Sequence, residues 1–339
     1  MSKQFPGKFI PKISFDRISL MKYFFLCFLF VLPLSAQTPT DVKYPFEVRY
    51  LPLTLEKQNV KMAYMDIAPE KPNGEAFILF HGKNFNGFYW KNVIPMLTSK
   101  GYRVIVPDQI GWGKSDRPNL HYSFHQLAEN NKKLLLSLNI RRVNVLGHSM
   151  GGMLAARFAL MFPEGVANLI LENPIGLEDY RIFVPYAPID VLEQTELKAT
   201  AESYKNYQKT YYPEFKLEYE PYVEAQAADL KLKNFPEIAF VNALTTQMIY
   251  EQPIVYELEN IRIPTLLIIG QLDRTVVGKN RLSKENAEKY GQYPQLGKLT
   301  KFKIRNSQLV ELENVGHIPH IQTPDRFEKA IADFLRPAK

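Results

Sequence analysis

The sequence predicts a doubly wound α/β fold, a mostly parallel sheet with helices on both faces, carrying one inserted helical cap. Three observations point there. Short apolar runs bounded by Gly and Pro recur along the chain, stretches of helical length alternate with them, and residues 177–258 break the rhythm. The runs at 60–67, 76–80 (AFILF), 103–106 (RVIV), 143–146 (VNVL), 169–171 (LIL), 265–269 (TLLII) and 308–312 (QLVEL) read as strands. Continuous apolar text of this length is what a strand buried on both faces requires. Helical stretches lie between them at 124–138, 152–162 and 324–334.

Residues 177–258 hold no convincing strand, only amphipathic helical text, and read as a cap inserted between the LIL and TLLII strands. The core then divides into 37–176 and 259–339. Ten of the nineteen tyrosines fall in the cap, which suits a half-wet pocket wall with apolar rings and polar tips. Tyr204, Tyr207 and Tyr211 recur at i, i+3 and i+7, one face of a helix.

Composition narrows the class. The 339 residues are 46% hydrophobic and 23% charged, which excludes a disordered chain. The apolar runs are too short for a multi-span membrane protein. Net charge is +7, but residues 1–36 hold five cations and one anion, so the remainder stands at +3 and offers no footprint for nucleic acid. Cys27 is the single cysteine, so no disulfide framework or thiolate metal site can form within the chain.

Residues 1–36 read as a secretory signal peptide. A basic stretch ends at Lys22, the apolar run 23–34 (YFFLCFLFVLPL) follows, and Ala36 precedes the expected cut. As a helix, twelve residues reach about 18 Å, short of a ~30 Å hydrocarbon core. Leu34 is bulkier than is usual two positions before such a cut, and Met21 is an alternative start. A short membrane anchor is the competing reading. Cleavage leaves an exported protein, periplasmic or secreted, with no stable membrane anchor and no cysteine.

The chemistry is carried by Gly147-His148-Ser149-Met150-Gly151-Gly152, set between the strand VNVL and a helix. This G-x-S-x-G arrangement is a nucleophile elbow. The turn is so sharp that its flanking positions must lack a Cβ, and it lifts the serine Oγ above the sheet at a helix N-terminus. A serine hydroxyl needs a base. His317, in the loop after the last strand, is placed for that role, with His320 the alternative. The base needs an orienting carboxylate. Asp273 follows TLLIIG at a strand's carboxyl end, with Glu172 the alternative. Ser149, Asp273 and His317 thus fall along the chain in the order nucleophile, acid, base. Backbone N–H groups of Lys83 and Met150 are the expected oxyanion donors. Asn84, Phe85 and Trp90 are candidate substrate contacts.

With these elements in place, the chain resembles the α/β-hydrolase superfamily, of the capped serine-hydrolase type, over roughly residues 45–336. Residues 108–118 (DQIGWGKSDRP) are similar to the D-x-x-G-x-G-x-S-x-x-P loop of capped esterases, C–C bond hydrolases, epoxide hydrolases and dehalogenases. The resemblance implies an eight-stranded sheet and a Ser-His-Asp triad. Epoxide hydrolases and haloalkane dehalogenases of this type use an Asp nucleophile, so Ser149 argues against both reactions.

Other patterns carry less. Gly113-Lys114-Ser115 ends like a phosphate-binding loop, but its first glycine would fall on Asp108. His121 and His125 lack the Glu of a zinc protease, and no metal or cofactor is expected. The sequence therefore predicts a serine hydrolase of small esters, thioesters or amides, acting through an acyl-enzyme. A weakly catalytic small-molecule receptor, a C–C hydrolase and an aminopeptidase stay open as alternatives.

Overall fold

One eight-stranded sheet organises the molecule. Its strands are β1 (Val48–Leu55), β2 (Gln58–Ile67), β3 (Ala76–Phe80), β4 (Arg103–Pro107), β5 (Val143–His148), β6 (Val166–Glu172), β7 (Thr265–Gly270) and β8 (Ser307–Leu312). They lie in the order β1-β2-β4-β3-β5-β6-β7-β8. β2 runs antiparallel to both of its neighbours, and every other pair is parallel. This computed structural model describes Met1 and residues 42–336; the expected leader beyond its first residue, with its cleavage site, lies outside them.

The chain leaves β3 for β4 on one side and returns through β5 on the other, so strand order reverses between β3 and β5. Loops diverge at such a point and leave a crevice at the carboxyl ends of the strands. The loop after β3 begins at His81 and the turn after β5 holds Ser149.

The helices are α1 (Val93–Thr98), α2 (Phe124–Ser137), α3 (Met150–Met161), α4 (Ile189–Leu197), α5 (Ala201–Lys209), α6 (Glu220–Ala227) and α7 (Phe235–Glu251). After β7 come α8 (Lys284–Lys289), α9 (Tyr293–Lys303), α10 (Pro319–Gln322) and α11 (Pro324–Leu335). Alternate strand residues feed two cores. Ile78, Phe80, Val145, Leu171 and Leu267 meet α2, α3 and α9, whereas Phe77, Leu79, Leu146, Ile170 and Leu266 meet α1 and α11. This double burial explains why the central strands read as unbroken apolar runs. Among the described residues, no helix is long and apolar enough to cross a membrane.

β1 was not apparent in the sequence. It lies at the sheet edge, where Pro52 is tolerated, and half of its residues face water. Its hairpin turns through Glu56 and Lys57 at φ 45° and 66°, without the Asn or Gly that usually marks such a turn.

Between β6 and β7 the chain makes a helical excursion, residues 173–264, containing α4 to α7 and no strand. Thr200 and Ser203 form a reciprocal capping box at the start of α5. The tyrosine face expected at 204, 207 and 211 is cut short. α5 ends at Lys209, the Thr210 hydroxyl donates back to the Tyr207 carbonyl at 2.7 Å, and Pro213 follows. Tyr211 therefore lies in the turn after the helix, although its ring still meets that of Tyr207 edge-on at 5.4 Å.

Candidate active site

The turn from β5 into α3 puts Ser149 at φ 57° and ψ −120°, a conformation that costs a non-glycine residue about 1–3 kcal/mol. The flanking glycines are demanded by contact. A Cβ at Gly147 would run into the Gly151 carbonyl, and one at Gly151 into the Phe80 carbonyl. The Ser149 N–H donates to the Glu172 carbonyl at 3.1 Å, and its own carbonyl accepts from Gly152 (2.9 Å) and Ile175 (3.2 Å). These bonds hold the strained turn to the next strand.

Three side chains from three loops meet here. Nε2 of His317 lies 2.9 Å from Ser149 Oγ, and Nδ1 of His317 lies 2.7 Å from Asp273 Oδ2. With Nδ1–H donated to Asp273, Nε2 keeps its lone pair for the serine proton. Burial pushes the Asp273 carboxyl up. The facing His317 ring and hydrogen bonds from His317, Thr275 and Asn173 outweigh it and hold the group below its ordinary value. Ser149, Asp273 and His317 are 6%, 2% and 1% exposed, so the site is nearly closed.

Asn173 is a member that the sequence did not reveal. Its Nδ2 donates to Asp273 Oδ2 at 2.6 Å while its Oδ1 accepts the Gly270 N–H at 2.9 Å, locking the carboxylate to the end of β7. The available signal was a polar residue just past the LIL strand, before Pro174. His148 is the other. Its Nε2–H donates to the His317 carbonyl at 2.8 Å, and its Nδ1 faces the Tyr89 hydroxyl at 3.3 Å. Burial first, then the neighbouring His317 and His320, push His148 well below the ordinary histidine value, so it is a neutral strut.

Lys83 and Met150 present backbone N–H groups that meet no acceptor among the described residues. The Lys83 carbonyl accepts from Trp112 Nε1 at 2.7 Å, and its ammonium lies 3.6 Å from Glu196 on α4. His81 steadies the same loop: Nδ1–H donates to the Gly82 carbonyl at 2.9 Å, and Nε2 accepts the Gln109 N–H at 3.0 Å. Asn84 Nδ2 donates to the Tyr211 hydroxyl at 2.8 Å. Phe85 stacks on Tyr89 at 4.7 Å and lies 6.1 Å from Tyr211.

Trp90 stands elsewhere. The short turn Gly87–Trp90 drives its ring inward, where it is wholly buried and stacks on His320 at 4.5 Å, so it does not line the site. The alternative base and acid meet one another. Nδ1 of His320 lies 2.9 Å from both Glu172 oxygens, and neither side chain reaches Ser149 by a hydrogen bond among the described residues. His121 and His125 line a groove of about 570 Å³ with Arg157, Arg181 and Glu257, which shares no residue with the triad. Among the described residues, no three His, Cys, Asp or Glu side chains are grouped to hold a metal ion.

A mostly parallel sheet with a helical excursion, and a strained serine over its switch point, define an α/β-hydrolase. The family model of the α/β-hydrolase fold matches residues 75–324, and the chain belongs to that family. A probable hydrolytic enzyme from Pseudomonas aeruginosa, known from its crystal structure, shares 42% identity. It superimposes with a TM-score of 0.86, covering 89% of this chain and 99% of that one. The 2-hydroxy-6-oxononadienedioate/2-hydroxy-6-oxononatrienedioate hydrolase of Burkholderia vietnamiensis is 25% identical over 85% of this chain and 95% of that protein. A Mycobacterium tuberculosis protein named as uncharacterised is 40% identical over 105 residues, a match that spans 30% of its own length.

Proposed function

We propose that this α/β-hydrolase is a serine hydrolase of small esters, thioesters or amides, working through an acyl-enzyme. The single observation that carries this reading is the unbroken hydrogen-bond chain from Ser149 Oγ through His317 to Asp273, at 2.9 and 2.7 Å. His317 Nε2 takes the Ser149 proton as Oγ bonds to the substrate carbonyl carbon. The charge gathering on the carbonyl oxygen is received by the Lys83 and Met150 N–H groups, helped by the N-terminus of α3. His317 then gives its proton to the leaving group, which departs as the carbonyl re-forms. Water, deprotonated by the same nitrogen, releases the acid and frees Ser149. Asp273 keeps the ring in the tautomer that makes this possible, and Asn173 and Thr275 hold Asp273.

The walls favour compact substrates. Tyr211 lies 4.7 Å from the His317 ring and Phe85 6.1 Å from Tyr211, aromatic surface that suits short acyl or aryl groups better than long chains. The test is a fluorophosphonate probe together with a panel of p-nitrophenyl esters of increasing acyl length. Ser149 takes the label, short esters turn over fastest, and Ser149→Ala loses both labelling and turnover. A Ser149→Ala protein that still hydrolyses p-nitrophenyl acetate near the parent rate overturns the reading in favour of a receptor or another nucleophile.

A further inference from the structure

Tyr211 belongs to the helical excursion, yet it touches both loops that build the site. Its carbonyl oxygen accepts the His317 N–H at 2.7 Å, and its ring lies 4.7 Å from the imidazole at 32°. Its hydroxyl accepts from Asn84 Nδ2 at 2.8 Å, one residue beyond the Lys83 amide. Gly316 permits this approach. A Cβ there would run into the Tyr211 carbonyl oxygen and come within 3.1 Å of Pro213 Cδ. Gly316 is not among the positive-φ glycines, so the site uses its small size rather than a left-handed backbone.

His317 is otherwise held by the body of the protein. Asp273 fixes Nδ1 at 2.7 Å, and His148 fixes the carbonyl at 2.8 Å. Among the described residues, the bond from Tyr211 is the hydrogen bond to His317 that comes from the excursion, and the Lys83–Glu196 pair ties the loop after β3 to α4.

We propose that Tyr211 is a positioning residue that couples the seating of the helical excursion to the alignment of His317 and of the loop carrying the Lys83 N–H. This rests on the serine-nucleophile reading above. Ser149 is 6% exposed while the excursion is seated. Movement that admits a substrate loosens the base, and reseating restores both the seal and the geometry. The site is then complete only when closed over its substrate, which limits idle reaction with water.

Gly316→Ala, Tyr211→Ala and Tyr211→Phe decide the matter, measured by kcat and KM for p-nitrophenyl acetate, by the rate of fluorophosphonate labelling and by thermal melting. Gly316→Ala displaces the Tyr211 carbonyl without replacing a triad side chain, and Tyr211→Ala removes ring and hydroxyl. Each lowers kcat and the labelling rate together by about a hundredfold, the scale of a misplaced catalytic group, with KM moved far less. Tyr211→Phe keeps the ring and loses only the hydroxyl that Asn84 meets, so it loses part of that factor. Folded Gly316→Ala and Tyr211→Ala proteins with parental kcat overturn the proposal. Should Gly316→Ala fail to fold, the two Tyr211 variants decide alone. A parent protein whose Ser149 takes no label overturns the serine-nucleophile reading itself.

Discussion

His317 and His320 stand three residues apart, and each meets a buried carboxylate through Nδ1. Asp273 lies 2.7 Å from His317, and Glu172 lies 2.9 Å from His320. The two pairs differ in what the far nitrogen faces. Nε2 of His317 meets Ser149 Oγ, whereas Nε2 of His320 has no partner among the described residues, in a ring stacked on Trp90. Glu172 also accepts the His320 N–H at 2.7 Å, while its backbone carbonyl accepts the Ser149 N–H at 3.1 Å. The second pair therefore pins the turn that bears His317 to the strand that braces the elbow. The two pairs share a carboxylate at Nδ1 and part at the outer nitrogen, which in one of them faces a hydroxyl.

Neutralising each acid separates the two roles most sharply. Asp273→Asn lowers kcat by about 10⁴-fold, because the ring loses the acceptor that fixes its tautomer. Glu172→Gln, nearly isosteric, leaves kcat within about tenfold, since it acts on Ser149 only through the backbone. Steady-state hydrolysis of p-nitrophenyl acetate by the folded variants reads both, and equal losses would erase the distinction.

Stability should show the reverse emphasis. His320→Ala empties a fully buried site between Trp90 and Phe327 and strips Glu172 of its ring partner. It costs about 3–5 kcal/mol in urea unfolding. A loss under about 1 kcal/mol would mean that the second pair is not a structural anchor.

Acid exposure distinguishes the neutral histidines from the ionised acid by a smaller effect. Burial lowers the values of His81 and His148 below 6.5 in the folded protein. Below that pH the unfolded chain binds protons that the folded chain refuses, so stability falls as pH drops from 6.5. The slope reaches about 1.4 kcal/mol per pH unit for each group. Asp273 is depressed instead, so its stabilising share is present above 3.8 and is lost only as pH falls below that value. Urea unfolding from pH 7.5 to 5 checks the first limb, and His148→Gln should reduce its slope. A flat profile over that range would break the assignment of two buried neutral rings.

The elbow was legible because its constraints are local. Gly147 and Gly151 are fixed by collisions within one turn, and strand and helix flank them in the sequence. The sheet was legible for a related reason, since double burial leaves runs such as AFILF. Asp273 was paired with His317 from their places at strand ends, whereas the pairing of Glu172 with His320, across 148 residues of chain, was not read. Trp90 was set at the pocket for a similar reason: an aromatic beside the loop after β3 suits a pocket or a core equally, and the turn at Gly87–Trp90 decides. Asn173 stayed hidden because its partners, Asp273 and Gly270, lie about a hundred residues away. Tyr211 falls at the spacing of a helical face, but α5 ends at Lys209, two residues before it.

β6 and β7 pair directly, with Glu172 opposite Ile268, although 92 residues separate the end of one from the start of the other. The excursion thus departs from and returns to neighbouring positions on the rim of the sheet. Closing such a loop grows costlier only slowly with its length, by about 0.6 kcal/mol per doubling. Natural variation can therefore lengthen, shorten or replace the whole segment while the strand register beneath it survives. A lineage carrying this body could acquire a new substrate range through one insertion event, provided that the newcomer again offers a carbonyl to the His317 amide.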